Sequence, residues 1–147
     1  MKCGECTLCC ELLPVHFLDK PPLEKCKFAV ECQGCSIYKD RPEECSSFDC
    51  MYFQSEKISE ELRPDKCHVI FEKLTYKLVL GTKDSKHSLT ESAKRQIVNF
   101  AKQGFSVAIV EKGKDIQCAV ADGDSLIDIK NQIDSLLKQK WQLIHQI

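Results

Sequence analysis

Ten of the 11 cysteines of this 147-residue chain fall within its first 67 residues. They open with Cys3-x-x-Cys6-x-x-Cys9-Cys10, continue through Cys26 and Cys32-x-x-Cys35, and end with Cys45-x-x-x-x-Cys50 and Cys67. Thiolates are strong ligands for zinc, copper(I) and iron–sulfur clusters, and a two-residue spacer lets neighbouring sulfurs converge on one ion. A stretch this rich in thiol orders itself through metal or through disulfides, and the choice bounds what the chain can be.

Three observations weigh against a disulfide scaffold. Cys3 follows Met1 by two residues, leaving no room ahead of it for a secretory leader. The cysteine count is odd. Cys9 and Cys10 are adjacent, an awkward geometry for two separate bridges. No segment approaches the roughly 18 consecutive apolar residues of a membrane span. The expectation is a protein of the reducing cytoplasm, with metal-bound thiols and no membrane anchor.

Charge is unevenly spread. Residues 1–66 hold nine Lys and Arg against 13 Asp and Glu, a net of −4, whereas residues 67–147 hold 12 against nine, a net of +3. Metal-bound thiolates would make the first part more negative still, which argues against a grip on nucleic-acid phosphates.

The same division marks the organisation. Over residues 1–50 no helical period can be laid, Pro14 breaks the short apolar run 12–18, and Pro21 and Pro22 follow. Such a segment reads as loops whose order comes from metal, because binding free energy on the order of 10 kcal/mol then acts as folding free energy. Residues 55–62 read as a short exposed helix ending before Arg63-Pro64. Beyond it, residues 68–71 and 76–80 form an expected hairpin. Ser88-Leu-Thr-Glu91 reads as a capping box opening a helix that stops at Gly104. Residues 105–110 and 116–121 are expected strands, and a last helix starts near Asp124 or Ser125 with a stripe of Leu126, Ile129, Ile133, Leu136, Leu137 and Ile144. The expected class is α+β. A metal-stabilised cysteine-rich region, 1–66, is followed by a ββαββα unit, 67–147, with both helices on one face of a small mixed sheet.

The run Cys3-x-x-Cys6-x-x-Cys9-Cys10, then Cys26, then Cys35-Ser-Ile-Tyr38-x-x-Arg41-Pro42-x-x-Cys45-x-x-Phe48-x-Cys50, resembles the cysteine-cluster family described as zinc- or iron-chelating, the YkgJ type. The resemblance covers about the first 50 residues and implies metal binding through cysteine. A related cysteine pattern occurs in a flagellin lysine N-methylase, on a much longer chain. Cys32 and Cys67 are additions to the pattern.

The expected metal ligands are Cys3, Cys6, Cys9, Cys10, Cys26, Cys32, Cys35, Cys45 and Cys50. Were the chain locally extended, Cys10 would face away from Cys9 and the two would serve different centres. Eight thiols suit two four-sulfur sites, and a single cluster with spare thiols is the alternative. Zinc is the preferred metal, since four-sulfur zinc commonly holds loop-rich protein together. An iron–sulfur cluster is the alternative, because Cys-x-x-Cys-x-x-Cys also feeds ferredoxin clusters. Tyr38 is expected to pack over the loops and Arg41 to support the thiolates from outside. His16 reads as a packed or solvated imidazole, His68 and His87 have no ligand spacing, Cys67 is undecided between ligand and core, and Cys118 reads as core. Phosphate-cradling and nucleophile-elbow motifs are absent. The preferred function is therefore a non-enzymatic zinc-binding module whose second half presents a surface to a protein or small-molecule partner. The alternatives are an iron–sulfur redox or methylase-like component, and a metal store or sensor.

Overall fold

From Val69 onward the alternation of strand and helix patterns builds one four-stranded sheet, its strands Val69–Thr75, Leu78–Lys83, Ser106–Glu111 and Gln117–Ala119 lying side by side in chain order. The computed structural model describes residues 6–30, 33–48, 50–54 and 58–141. In chain order the elements are α1 (Leu8–Leu12), β1 (Ala29–Val30), β2 (Gly34–Cys35), α2 (Glu43–Ser46), α3 (Met51–Gln54), α4 (Pro64–Cys67), β3 (Val69–Thr75), β4 (Leu78–Lys83), α5 (Glu91–Lys102), β5 (Ser106–Glu111), β6 (Gln117–Ala119) and α6 (Leu126–Trp141). Strands β3 and β4 form the expected hairpin, with Phe71 opposite Gly81. The crossover through α5 makes β4 and β5 parallel, and β6 returns antiparallel to β5.

Strand β4 is buried along its whole length because both faces of the sheet are covered. Val79 points with Val69, Phe71, Val107 and Ile109 toward Ala93 and Phe100 of α5. Leu80 points the other way, with Leu78, Ala108 and Val110, toward Ile129 and Ile133 of α6. The two helices therefore lie on opposite faces of the sheet, not on one. The reason is in the strands: β4 and β5 are continuous apolar runs rather than alternating ones, the pattern of strands covered twice. Helix α5 is capped by Thr90, whose side chain accepts from the Ala93 amide, and not by Ser88. Gly104 (φ 91°) ends it in the left-handed conformation. Leu126, first in the expected stripe of α6, is 47 % exposed, and Ile144 lies outside the described residues.

The cysteine-rich part is mainly loops and single helical turns, but it has an apolar anchor. Leu8, Leu12 and Leu13 close over Cys50 and over Ile70 of β3, on the same side of the sheet as Leu80. On the other side Met51 and Leu62 join the core under α5. Both faces of β3, the edge strand of the sheet, are thereby in contact with the first part of the chain. Of the expected helix 55–62, residues 55–57 lie outside the described residues and 60–62 form one 3-10 turn. Pro64 then opens α4, where its missing amide is not needed. Among the described residues no helix is long and apolar enough to cross a membrane.

Candidate functional site

Six of the expected ligand cysteines, Cys6, Cys9, Cys10, Cys26, Cys35 and Cys45, line one cavity of about 680 Å³. Local structure explains how the sequence gathers them. Residues 7–13 close helical hydrogen bonds, Glu11 N–H to Thr7 O and Leu13 N–H to Cys9 O, so Cys9 and Cys10 sit on a helix and not on an extended chain. Their side chains are then about 100° apart rather than opposed, and both reach the cavity. The expectation that Cys10 turns away is corrected by that helix. Its other side carries Leu8 and Leu12, which the Ile70 cluster holds in place.

Cys26 is brought in when its amide donates to Cys10 O (2.7 Å), just after Leu23 N–H has bonded Leu12 O (2.7 Å). The β1–β2 ribbon delivers Cys35 opposite Ala29, with Gly34 at φ 102°, a conformation that favours glycine. Cys45 projects from α2, the turn after Pro42. Cys50 is placed differently. It is buried among Leu8, Leu12, Leu13 and Ile70, with Cys6 and Cys9 packed against that cluster. Cys3 and Cys32 lie outside the described residues.

The cavity thiols feel one another. The hydrogen bond with Cys9 lowers the pKa of Cys10, against its burial, and with help from Lys20 and Arg41 it reaches about 7. Cys45 is raised, first by burial and then by the negative charge of Cys10, Cys35 and Cys26. Lys20 is only 5 % exposed and donates from Nζ to the carbonyls of Leu13 and Pro21. Burial lowers its pKa, while Cys26, Cys10 and Cys9 pull it back up. The cavity therefore sets a thiol whose ionisation its neighbours favour, Cys10, beside one whose ionisation they oppose, Cys45, next to a buried lysine.

Arg41 stacks on Tyr38 with its guanidinium carbon 4.0 Å from the ring centroid. The pair stands at the cavity wall, where the Arg41 charge favours the Cys10 thiolate. No disulfide links two described cysteines. No three described cysteines bring their sulfurs within 4.8 Å of one another. Cys67 is fully buried under α5, with its Sγ 3.3 Å from Val69 O, and burial raises its pKa to about 11. It belongs to the core rather than to the cavity. Cys118 packs beside the α6 core, and burial raises its pKa as well.

Two groupings were not legible in the sequence. His16 lines the cavity, its Nδ1 donates to Glu44 Oε2 at 2.8 Å, and its Nε2 is buried without a hydrogen-bond partner among the described residues. Glu44 also accepts from the amides of His16 (3.1 Å) and Phe17 (2.9 Å), bonds that outweigh its partial burial and hold its carboxyl below the usual range. The sequence separation of 28 between His16 and Glu44 hid that pair. The second grouping is His68, Asp84 and His87, which has the only three His, Cys, Asp or Glu ligand atoms mutually within 4.8 Å among the described residues. Only the i, i+3 spacing of Asp84 and His87 could have hinted at it. Compared with protein families, curated proteins and solved structures, the chain matches none.

Proposed function

We propose that the chain is a soft-metal-binding protein that holds zinc through the thiols of Cys6, Cys9, Cys10, Cys26, Cys35 and Cys45, with Cys3 and Cys32 available to complete the set. The carrying observation is that six cysteines from four separate segments line one cavity. Mutual repulsion of thiolates in a half-buried space is relieved by a cation, and a transition metal is the cation thiolate prefers. The resemblance to the YkgJ-type cysteine pattern supports the same reading. His16 joins the candidates, because a buried imidazole nitrogen without a partner, on a ring oriented by a carboxylate, is how metal-bound histidines are commonly held. The ββαββα unit then serves as the support to which the metal-binding loops are fixed.

A second reading, an iron–sulfur cluster, draws on the sulfur spacing. Bonds of about 2.3 Å put the sulfurs of a four-thiolate zinc site roughly 3.8 Å apart. No three described cysteine sulfurs lie within 4.8 Å of one another, a spread that suits a polynuclear centre. Metal analysis and visible absorption of protein purified anaerobically without a metal-affinity tag separate the two. Colourless protein with stoichiometric zinc supports the first reading, and a brown chromophore that bleaches on reduction supports the second. Protein without transition metal, whose described cavity thiols all react with a thiol reagent, would overturn both.

A further inference from the structure

His68, Asp84 and His87 converge far from any sequence pattern, and the chain spends conformational energy to bring them together. Helix α4 ends on His68, whose φ of 64° is left-handed, a conformation costing a side chain of this kind about 1 kcal/mol or more. Asp84 directly follows β4, and its amide donates to His68 O at 3.1 Å, fixing the two backbones side by side. The Asp84 carboxylate in turn organises the next loop: Oδ1 accepts from the amides of Lys86 (3.0 Å) and His87 (2.9 Å). The two imidazoles stack with centroids 3.7 Å apart and planes 6° from parallel. Each presents Nδ1 to the same carboxylate oxygen, Asp84 Oδ2, at 3.1 Å.

A tetrahedral ion with bonds of about 2.0–2.1 Å holds its ligand atoms roughly 3.3 Å apart, close to the nitrogen–oxygen spacing found here. The carboxylate is locked by two backbone amides, the arrangement that orients ligands from behind. Exposure is graded across the three. The Asp84 side chain is 9 % exposed, His68 21 % and His87 53 %, so the cluster rests on a rigid base and opens to solvent on the His87 side. None of the three lines the cysteine cavity. The donor set of two imidazoles and one carboxylate differs from the thiols of the cavity, and zinc accepts either set.

We propose that His68, Asp84 and His87 form a second, solvent-open site for a divalent transition-metal ion of the zinc, cobalt and nickel type. The ion is held by both Nδ1 atoms and by Oδ2 of Asp84 once the half-exposed His87 ring turns out of the parallel stack, which keeps the two Nδ1 lone pairs in separate planes. It replaces the two Nδ1 protons and leaves its remaining position to water or a small anionic ligand. Each imidazole keeps one proton, on Nε2, and binding releases to solvent any proton beyond that. The site is independent of what the cysteine cavity binds.

The test uses the full chain with its thiol sites already saturated with zinc, labelled with nitrogen-15 at histidine, and titrated with further zinc chloride while imidazole resonances are followed. His68 and His87 should shift together at one added equivalent, with the Nδ1 resonances moving to metal-bound positions. His87→Gln, at a half-exposed position, should weaken the added equivalent about tenfold or more, as should Asp84→Asn, with amide spectra of both variants matching the parent away from the site. The proposal is overturned if the His68 and His87 rings are unmoved at millimolar zinc, if they move only in parallel with all other histidines, or if His87→Gln binds the added equivalent as tightly as the parent chain.

Discussion

Glu44 and His16 are joined side chain to side chain at 2.8 Å, and the same carboxylate also caps the backbone turn that carries the histidine. The pair links two walls of the thiol cavity, α2 with Cys45 and the 3-10 turn His16–Leu18. If Nε2 of His16 contributes to metal binding, His16→Ala and Glu44→Gln should weaken zinc by different amounts. The ligand loss should cost more, and the loss of orientation about tenfold. Competition against a chromophoric chelator reads both. Unchanged affinity in His16→Ala would return the imidazole to a purely structural role.

The cysteines should divide by location rather than by position in the sequence. Cys45→Ser, in the cavity wall, should lose metal. Cys67→Ala should keep full metal content and lose on the order of 1 kcal/mol of stability, because it removes a fully buried side chain from the α5 core. Cys118→Ala should likewise keep its metal. Metal analysis beside a urea melt of each variant checks the division. Metal loss in Cys67→Ala would move the site toward α4.

The C-terminal unit was legible because its periods are strong. The β3–β4 hairpin, the Gly104 stop and the Ile129–Ile133 stripe each follow from local rules. That the helices cover both faces was recorded only in the unbroken apolar runs of β4 and β5, a weaker signal than the helix stripes, and which helix takes which face follows from the parallel β4–β5 pairing made through α5. In the first part, spacing singled out the thiols but not their geometry. A five-residue helix such as α1 is set by Leu8 and Leu12 docking on Ile70, a contact some 60 residues distant that no local period records. The His16–Glu44 pair and the approach of His68 to Asp84 were invisible for the same reason.

Lys83 and Glu111 are register partners in the parallel pair and form an ion pair of 2.9 Å, with side chains 6 % and 10 % exposed. The hydrogen bond from Lys83, joined by that from Lys114, outweighs burial and holds the Glu111 carboxyl below the usual carboxylate range. A carboxyl lowered by folding stabilises fully above its unfolded pKa, about 4.3, and ceases to do so as pH falls through its folded value. Glu111→Gln should therefore be less stable than the parent chain near about pH 7, with the gap narrowing toward about pH 3. Urea midpoints at both pH values measure it, and a gap independent of pH would mean that the pair contributes through packing alone.

Chelation tests how far the cysteine-rich part depends on metal. Leu8, Leu12, Leu13 and Val15 are its main buried aliphatic residues, a small apolar anchor for so long a run of loops. The sheet has its own cores on both faces. Stripping metal with a strong chelator under reducing conditions should then release amide protons across residues 13–48, while β4, β5 and α5 stay protected. Strand β3 should show intermediate protection, because Ile70 loses its leucine cover while Val69 and Phe71 keep theirs. If the sheet amides exchange at the same rate as those of the cavity wall, Ile70 couples the two parts into one cooperative core, and the division of the chain near residue 66 fails.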